Sequence, residues 1–498
     1  MKDKSKIKYN LIVGIVGQIV SIVLGVVLPK LVMTSYGSEV NGLLSSVTNI
    51  YAYIAIVESG IAAASCQALY NPIAENAKDK INRVLSATNR YYRKTGLIYF
   101  GLVLLFAAIY PVSIQTEIPY YKIAAIVLFN GIGNVINYFF HGKYLILLKA
   151  DGKNYIRTGM EMLTNAAKQI LKILLIGWGY DVVSVQMVAM AVSFAQMAYI
   201  TWYIKKNYAW IDLKVEPDRG AISQSKHVVV HELNYLITAN VDTVLLTYFA
   251  GLKTVSVYAL YNLLYGVINR MLRVVRDSVE YKIANLFFGD RKQFDAVYDV
   301  FEMYSVTLAF SLYSIANYFI LPFITLYTKD ISDAAYVDTS LPILFALIGL
   351  LGAGRYPSSA MIHISGHFRQ TQKHASIEAI LNLTLSILLV RRYGMAGALM
   401  GTILSTLYYT NYLIVYVNRN IIKRSPIKTY KCWGINFLVF LAITYLNRFL
   451  VIRLDSYVRI FAFCVPYAVC VLIMYFGIVS LLEPKAFRCA ARLLRKSR

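Results

Sequence analysis

Apolar stretches of membrane-spanning length recur from one end of this chain to the other. A helix needs about 20 consecutive apolar residues to cross a bilayer, and the sequence contains fourteen stretches near that length. They lie near 10–32, 42–65, 95–113, 118–148, 159–178, 182–204, 228–250, 254–275, 301–327, 339–364, 375–390, 395–417, 432–452 and 456–481. They do not alternate apolar with polar residues, which disfavours membrane-spanning strands. The sequence therefore predicts an all-α polytopic membrane protein with about 14 transmembrane helices.

Composition and charge exclude most other classes of protein. Hydrophobic residues make up 58% of the chain and charged residues only 15%, whereas a soluble domain carries about 25% charged residues. The chain has 50 Lys and Arg against 26 Asp and Glu, and most of these cations fall in loops on the side of the N-terminus. The positive-inside rule makes that side cytoplasmic. We therefore expect a protein of the inner (cytoplasmic) membrane with both termini in the cytoplasm, and contacts with anionic lipid rather than with nucleic acid.

Glycines at helix ends recur at one spacing. The pairs are Gly37 with Gly251 and Gly152 with Gly366, each 214 residues apart, and Gly179 with Gly394, 215 residues apart. Each repeat then holds six spans in the same orientation, which predicts two parallel six-helix lobes, an arrangement typical of transporters. The predicted domains are an N-terminal lobe (1–215), a C-terminal lobe (216–425), and two additional transmembrane helices with a basic cytoplasmic tail (426–498).

Local motifs resemble one family of transporters. Residues 36–44 (YGSEVNGLL) and 57–60 (VESG) are similar to that family's motif across spans 1 and 2, and residues 242–251 (DTVLLTYFAG) and 393–402 (YGMAGALMGT) are similar to motifs of its second lobe. The family is the polysaccharide flippases of the multidrug/oligosaccharidyl-lipid/polysaccharide exporter superfamily, and the resemblance covers about residues 8–425. It implies a flippase that moves undecaprenyl-diphosphate-linked oligosaccharide across the bacterial cytoplasmic membrane by alternating access. The lipid-linked oligosaccharide, membrane lipids and, as a candidate, the polysaccharide polymerase machinery would be its partners in surface polysaccharide biosynthesis.

Ionisable side chains inside the predicted spans are the candidate functional residues, because each costs free energy in a bilayer unless it faces a cavity or a partner. The candidates for a cationic cavity that binds the substrate are Arg270, Arg273, Lys168, Lys172, Arg355, His141 and Lys143. Fixed cations in a cavity would replace the lost hydration of the substrate's pyrophosphate. The acids Glu58 and Asp242 are candidates for a gate or for ion coupling.

Each assignment has an alternative. Arg270 and Arg273 could instead lie near the interface and extend their charged ends into water, which is harder for Lys168 and Lys172 in mid-helix. Glu58 aligns with the neighbour of Arg273 in the repeat, so the two could pair when a gate closes. Glu58 could equally pair with a polar neighbour in its own lobe.

Two further features of the sequence predict local structure. Segments 66–94 and 276–300 are mixed in charge and long enough to form helices lying at the membrane surface. Residues 352–357 (GAGRYP) are expected to interrupt span 10, because proline removes a backbone donor and kinks a helix.

The alternative function is a drug/cation antiporter of the same superfamily, which would need acids in its cavity. The excess of cations over Glu58 and Asp242 within the spans favours an anionic substrate. An enzyme is disfavoured because the predicted extracytoplasmic loops are short. The sequence contains no GxxxxGK[ST] or HExxH motif. His227 and His231 are four residues apart, as are His363 and His367, but neither pair has a third or fourth ligand at metal-ligand spacing, so we predict no cofactor and no metal site.

Overall fold

The apolar stretches fold into helices, and the chain divides into two compact units, Met1–Ser256 (unit 1) and Val257–Arg498 (unit 2). The structure is a computed structural model, and it describes residues 23–218, 226–450 and 454–496. Within these ranges no strand occurs. The helices that begin in unit 1 are α1 (Val23–Tyr36), α2 (Ser38–Ile54), α3 (Ile56–Ala74), α4 (Lys78–Ser113), α5 (Tyr120–Ile136), a π-helical turn (Asn137–His141), α6 (Gly142–Ala150), α7 (Asn154–Gly177), α8 (Val182–Asn207), α9 (Lys226–Phe249) and α10 (Gly251–Gly289).

The helices that begin in unit 2 pack around one central helix. They are α11 (Arg291–Tyr327), α12 (Leu341–Ser365), α13 (Phe368–Tyr416) with a π-helical end (Val417–Ile422), α14 (Ile427–Leu446), α15 (Tyr457–Leu482) and α16 (Pro484–Lys496). Helix α11 contacts α12, α14, α15 and α16. The basic tail predicted after the last span is therefore helical, and α16 packs against α11 and α15.

Eight of the helices in the described part are long and apolar enough to cross a membrane, and α1 and the segment Leu236–Phe249 are shorter apolar helices. Helix α13 covers two predicted spans, because Gly394 kinks it. Helices α7 and α10, which carry several candidate cations, are outside the group of eight. The all-α polytopic fold is confirmed. The domain boundaries at 215 and 425 stay a prediction.

The repeated glycines all have positive φ angles. Six glycines in the described part have positive φ, and they are the three predicted pairs. Their φ angles are 89° and 81° for Gly37 and Gly251, 70° and 72° for Gly152 and Gly366, and 80° and 56° for Gly179 and Gly394. Glycine adopts this left-handed region without the steric penalty that a Cβ brings. The spacing found in the sequence therefore marks real chain reversals that recur in each half.

The two segments expected to lie at the membrane surface are instead parts of long helices. Residues 66–94 form the end of α3 and the beginning of α4, and residues 276–300 form the end of α10 and the beginning of α11. Helices α4 and α10 contain 36 and 39 residues. At 1.5 Å per residue they are about 55 Å long, well beyond a bilayer core of about 30 Å. The mixed charges therefore lie on helical extensions of the spans.

The expected interruption of span 10 is wrong. Helix α12 runs without a break through Pro357. The glycine-rich stretch before the proline serves helix packing, since a Cβ on Gly354 would lie 1.9 Å from the ring of Trp433 on α14. In the described part of the chain, π-helical turns lie elsewhere, at Asn137–His141 in unit 1 and at Val417–Ile422 in unit 2.

A buried polar seam joins α2 to α9 and to the start of α10 in unit 1. The Ser46 and Thr247 hydroxyls are 2.8 Å apart, and the Tyr110 hydroxyl donates to Ser46 Oγ at 2.7 Å. The Asn41 amide donates to Ser256 Oγ at 2.7 Å. Small residues and hydroxyls are the usual contacts between membrane helices, because they allow close approach and satisfy each other's polar groups.

Replacing Gly42 with alanine is expected to lower the thermal stability of the protein in detergent. A Cβ there would lie 1.9 Å from the backbone oxygen of Leu252, and such overpacking costs roughly 1–3 kcal/mol. Gly101→Ala is the matched control, because a Cβ on Gly101 meets no atom within 4 Å. Thermal unfolding followed by tryptophan fluorescence compares the two. Equal melting temperatures for both variants would contradict the close approach.

A polar cavity in unit 1

Two connected hollows, of about 250 and 380 Å³, lie among the apolar helices of unit 1. They share Gly133, Asn134, Lys168 and Ser193. Helices α5, α7 and α8 supply most of the lining, the π-helical turn lies beside the first hollow and α2 beside the second. We call the two hollows together the unit 1 cavity.

Two predicted cations of α7 reach the unit 1 cavity. Lys168 and Lys172 are four residues apart and thus on one face of the helix, and both are half-buried. Lys172 Nζ donates to Gln186 Oε1 at 2.9 Å. Within the described part of the chain Lys168 has no acidic partner. The lysines therefore bring positive charge into a polar space among apolar helices, and the described residues offer them no acidic partner.

The π-helical turn brings a third predicted residue to the unit 1 cavity. His141 lines the first hollow and is only 4% exposed. His141 Nδ1 and Asn137 Oδ1 are buried, and the described residues offer neither of them a hydrogen-bond partner. Gly142 permits the widened turn, because a Cβ there would come within 2.9 Å of Asn137 O. Buried polar atoms of this kind are costly unless a ligand or water pairs with them, and π-helical turns are frequent at functional sites.

Lys143 follows this turn at the start of α6 but does not line the hollows. Its ammonium group donates to Phe139 O at 3.4 Å and lies 4.9 Å from the centre of the Tyr144 ring. The lysine is 6% exposed. Its charge is therefore engaged by its own helix and by an aromatic face, which makes it a weaker candidate for substrate binding than Lys168.

Amide side chains that the sequence reasoning missed also line the unit 1 cavity. Asn130, Asn134 and Asn137 face it from α5 and the π-helical turn, and Gln186 and Gln196 face it from α8. A signal for the asparagines exists in the sequence, since spacings of four and three residues place them on one helical face. Such groups both donate and accept hydrogen bonds, as binding of sugar hydroxyls requires.

Arg157 and Glu161 form an ion pair at the edge of the unit 1 cavity, so their charges cancel. Arg157 Nε and Glu161 Oε1 are 2.9 Å apart, one turn apart on α7. Both residues line the first hollow. Because this pair adds no net charge, the net positive charge of the cavity comes from Lys168 and Lys172.

The predicted cations of unit 2 have different surroundings. Arg270 is half-buried on α10, and no described residue accepts a hydrogen bond from its Nε. Arg273, one turn further on, is exposed. Arg355 is paired, since its guanidinium lies 2.6 Å from Glu378 Oε1 on α13 and 5.4 Å from the Tyr409 ring. Arg355 is thus held by the fold rather than left free for a substrate.

The predicted spans contain more acids than Glu58 and Asp242. Glu378 on α13 and Glu302 on α11 are each 4% exposed, and both lie inside predicted spans together with Glu161. Buried acids in a bilayer need partners, and here Arg355 pairs with Glu378 while Arg424 pairs with Glu302. Cations still outnumber acids within the spans, but by less than a comparison with Glu58 and Asp242 alone indicates.

The two candidate gate or ion-coupling residues remain predictions. The side chain of Glu58, in α3, lies outside the described residues, so its pairing with Arg273 or Arg270 is untested. Asp242, on α9, is buried at 3% exposure and has an interaction partner in the fold.

The fold is shared with known transporters. No family model and no curated protein matches the sequence. Among solved structures, the lipid II flippase MurJ in an inward closed conformation is similar over 94% of this chain and 99% of that chain, with a TM-score of 0.66 and 14% identity. An inward-facing multidrug resistance MATE transporter matches over 86% and 96%, with a TM-score of 0.58 and 12% identity. A transporter from Pyrococcus furiosus, for which reverse polarity of the binding pocket suggests a different function, matches over 85% and 97%, with a TM-score of 0.54 and 13% identity.

These similarities define the class of structure. The chain shares the fold of these three transporters. It is a multi-pass membrane protein.

Proposed function

We propose that the chain is a transporter that moves an anionic, lipid-linked oligosaccharide across the bacterial cytoplasmic membrane by alternating access. The observation that carries the proposal is the pair Lys168 and Lys172, which line a polar cavity among apolar helices and have no acidic partner among the residues that the structure describes. The similarity of fold to a lipid II flippase supports a lipid-linked substrate. In this function the lysines bind the pyrophosphate, and the amides of the unit 1 cavity bind sugar hydroxyls.

The proposal includes an orientation and a pathway. We place both termini in the cytoplasm, on the positive-inside rule. Labelling by an impermeant maleimide of a cysteine at Ser332, but not of one at Asp79, in intact cells without native cysteines would test this orientation. Surface polysaccharide biosynthesis and contact with its polymerase machinery stay predictions.

The double variant Lys168→Ala/Lys172→Ala is expected to lose transport of a fluorescent polyprenyl-diphosphate oligosaccharide by roughly tenfold or more, because each charged hydrogen bond is worth about 1.5–3 kcal/mol. The measurement is the rate of translocation in proteoliposomes at equal protein content. The matched control is Lys205→Ala, which removes an exposed lysine of α8. Lys168→Arg/Lys172→Arg keeps the charges and should retain part of the activity. Wild-type rates from the alanine pair would refute the proposal.

A drug/cation antiporter is the alternative, and two acids of unit 1 favour it. Glu161 lines the unit 1 cavity and Asp242 is buried on α9, and an acid is what a cationic drug or a coupling ion needs. MATE transporters share the fold. The same proteoliposomes separate the two functions. Uptake of a cationic dye, with no translocation of the glycolipid, would support the antiporter.

A further inference from the structure

An apolar groove of about 1050 Å³ lies in unit 2 where α16 packs beside α11 and α15. Its lining includes Val300 and Tyr304 of α11, Phe476 and Gly477 of α15, and Phe487 and Ala491 of α16. The groove is open along one edge, where the side chain of Phe487 is half exposed. The unit 1 cavity shares none of these residues.

Small residues and satisfied polar groups make this groove suitable for a hydrocarbon chain. A Cβ on Gly477 would meet no atom within 4 Å, so the glycine leaves open space. The Tyr304 and Ser480 hydroxyls bond to each other at 2.9 Å, and the Tyr304 ring stacks on Phe476 at 5.5 Å. Since these polar atoms already have partners, an alkyl chain in the groove would leave no hydrogen bond unmade.

The helix that closes the groove carries a strong positive charge. Residues 484–496 contain five Lys and Arg and no acid. Lys485, Arg488 and Arg492 are exposed and spaced by three and four residues, which places them on one face. At 100° per residue this face lies about 120° around the helix from Phe487 and Ala491. Helix α16 thus presents cations to one side and apolar residues to the groove, as helices at a membrane surface do.

We propose that α16 and the groove form a binding site for one anionic phospholipid. An acyl chain lies in the groove against Gly477 and Tyr304, and the headgroup phosphate lies beside Lys485, Arg488 and Arg492. Charge complementarity selects this occupant, because the described residues offer these three cations no acidic partner and a zwitterionic lipid would gain little from them. The site is separate from the proposed transport function and does not depend on it.

The test measures phosphatidylglycerol and phosphatidylcholine bound to the full-length protein by native mass spectrometry. We expect Lys485→Gln/Arg488→Gln/Arg492→Gln to bind phosphatidylglycerol about 100-fold more weakly, since each cation near anionic lipid contributes about fivefold. The control Lys205→Gln/Lys206→Gln/Lys214→Gln removes three exposed cations of unit 1 and should bind as the wild type does. Gly477→Phe fills the groove and should weaken binding of both lipids. Should that variant fail to fold, Ala491→Leu narrows the groove from α16.

Three outcomes would overturn the proposal. The first is wild-type binding of phosphatidylglycerol by the triple variant, and the second is equal affinity of the wild type for the two lipids, which would make the groove a nonselective crevice. The third is displacement of phosphatidylglycerol by polyprenyl phosphate at a much lower concentration, which would assign the groove to the transported lipid.

Discussion

Arg424→Ala is expected to destabilise unit 2 by about 3–5 kcal/mol, the usual cost of removing one partner from a buried ion pair. The guanidinium of Arg424 pairs with both Asp299 and Glu302 of α11, and its Nε donates to Asn418 Oδ1 at 2.6 Å. Glu302 is 4% exposed and also accepts from the Thr429 hydroxyl at 2.8 Å. Without Arg424, a buried carboxylate would keep its charge with no cation to compensate it. The expected result is a large fall in melting temperature or a failure to accumulate in the membrane.

Lys428→Ala is the matched control for that variant. Lys428 pairs with the same Asp299, but its side chain is 50% exposed, and exposed ion pairs contribute about 0–1 kcal/mol. Thermal unfolding in detergent compares the two variants at equal ionic strength. Similar melting temperatures for Arg424→Ala and Lys428→Ala would show that burial of Glu302 does not govern the stability of this region.

Arg355→Ala is expected to be nearly as destabilising, and for the same reason. The substitution would leave Glu378, which is 4% exposed, without the guanidinium that lies 2.6 Å away. Replacing both partners by apolar residues often restores stability, so Arg355→Leu/Glu378→Leu should melt close to the wild type. Arg369→Ala, which removes an exposed arginine from α13, is the control and should change the melting temperature little.

The double variant also separates a structural role of Arg355 from the substrate-binding role that the sequence predicts. If the pair serves the fold, Arg355→Leu/Glu378→Leu should be stable and should translocate the glycolipid at a rate close to that of the wild type. A stable double variant that does not transport the glycolipid would support the predicted role of Arg355 in substrate binding. An unstable double variant would mean that Arg355 has a further structural partner.

The candidate site could be predicted from the sequence only in part. Lys168 and Lys172 are recognisable because they stand in mid-span on one helical face, and the structure brings them with His141 to one cavity. Lys143 is equally conspicuous in the sequence, yet it is occupied by Phe139 O and the Tyr144 ring. The pattern of charge along a helix predicts the face on which a side chain lies. It does not predict which residue of another segment that side chain contacts.

The sequence by itself determined the helical class, the approximate spans and the chain reversals. These are local properties: a run of about 20 apolar residues must form a helix in a bilayer, and glycine is the residue that adopts positive φ most readily, as Gly37 and Gly251 do. Both features can be read within a few residues of the chain.

Only the tertiary structure decided which charges are free and which are paired. Arg355 meets Glu378 across two helices, and Arg424 of the basic linker meets Glu302 at a separation of 122 residues. Likewise, the tail 484–496 becomes a helix that completes a groove because α11 and α15 offer it a surface. Such pairings depend on which helix faces pack together, and the free energy of that packing comes from contacts between residues far apart in the chain, so no local pattern can specify them.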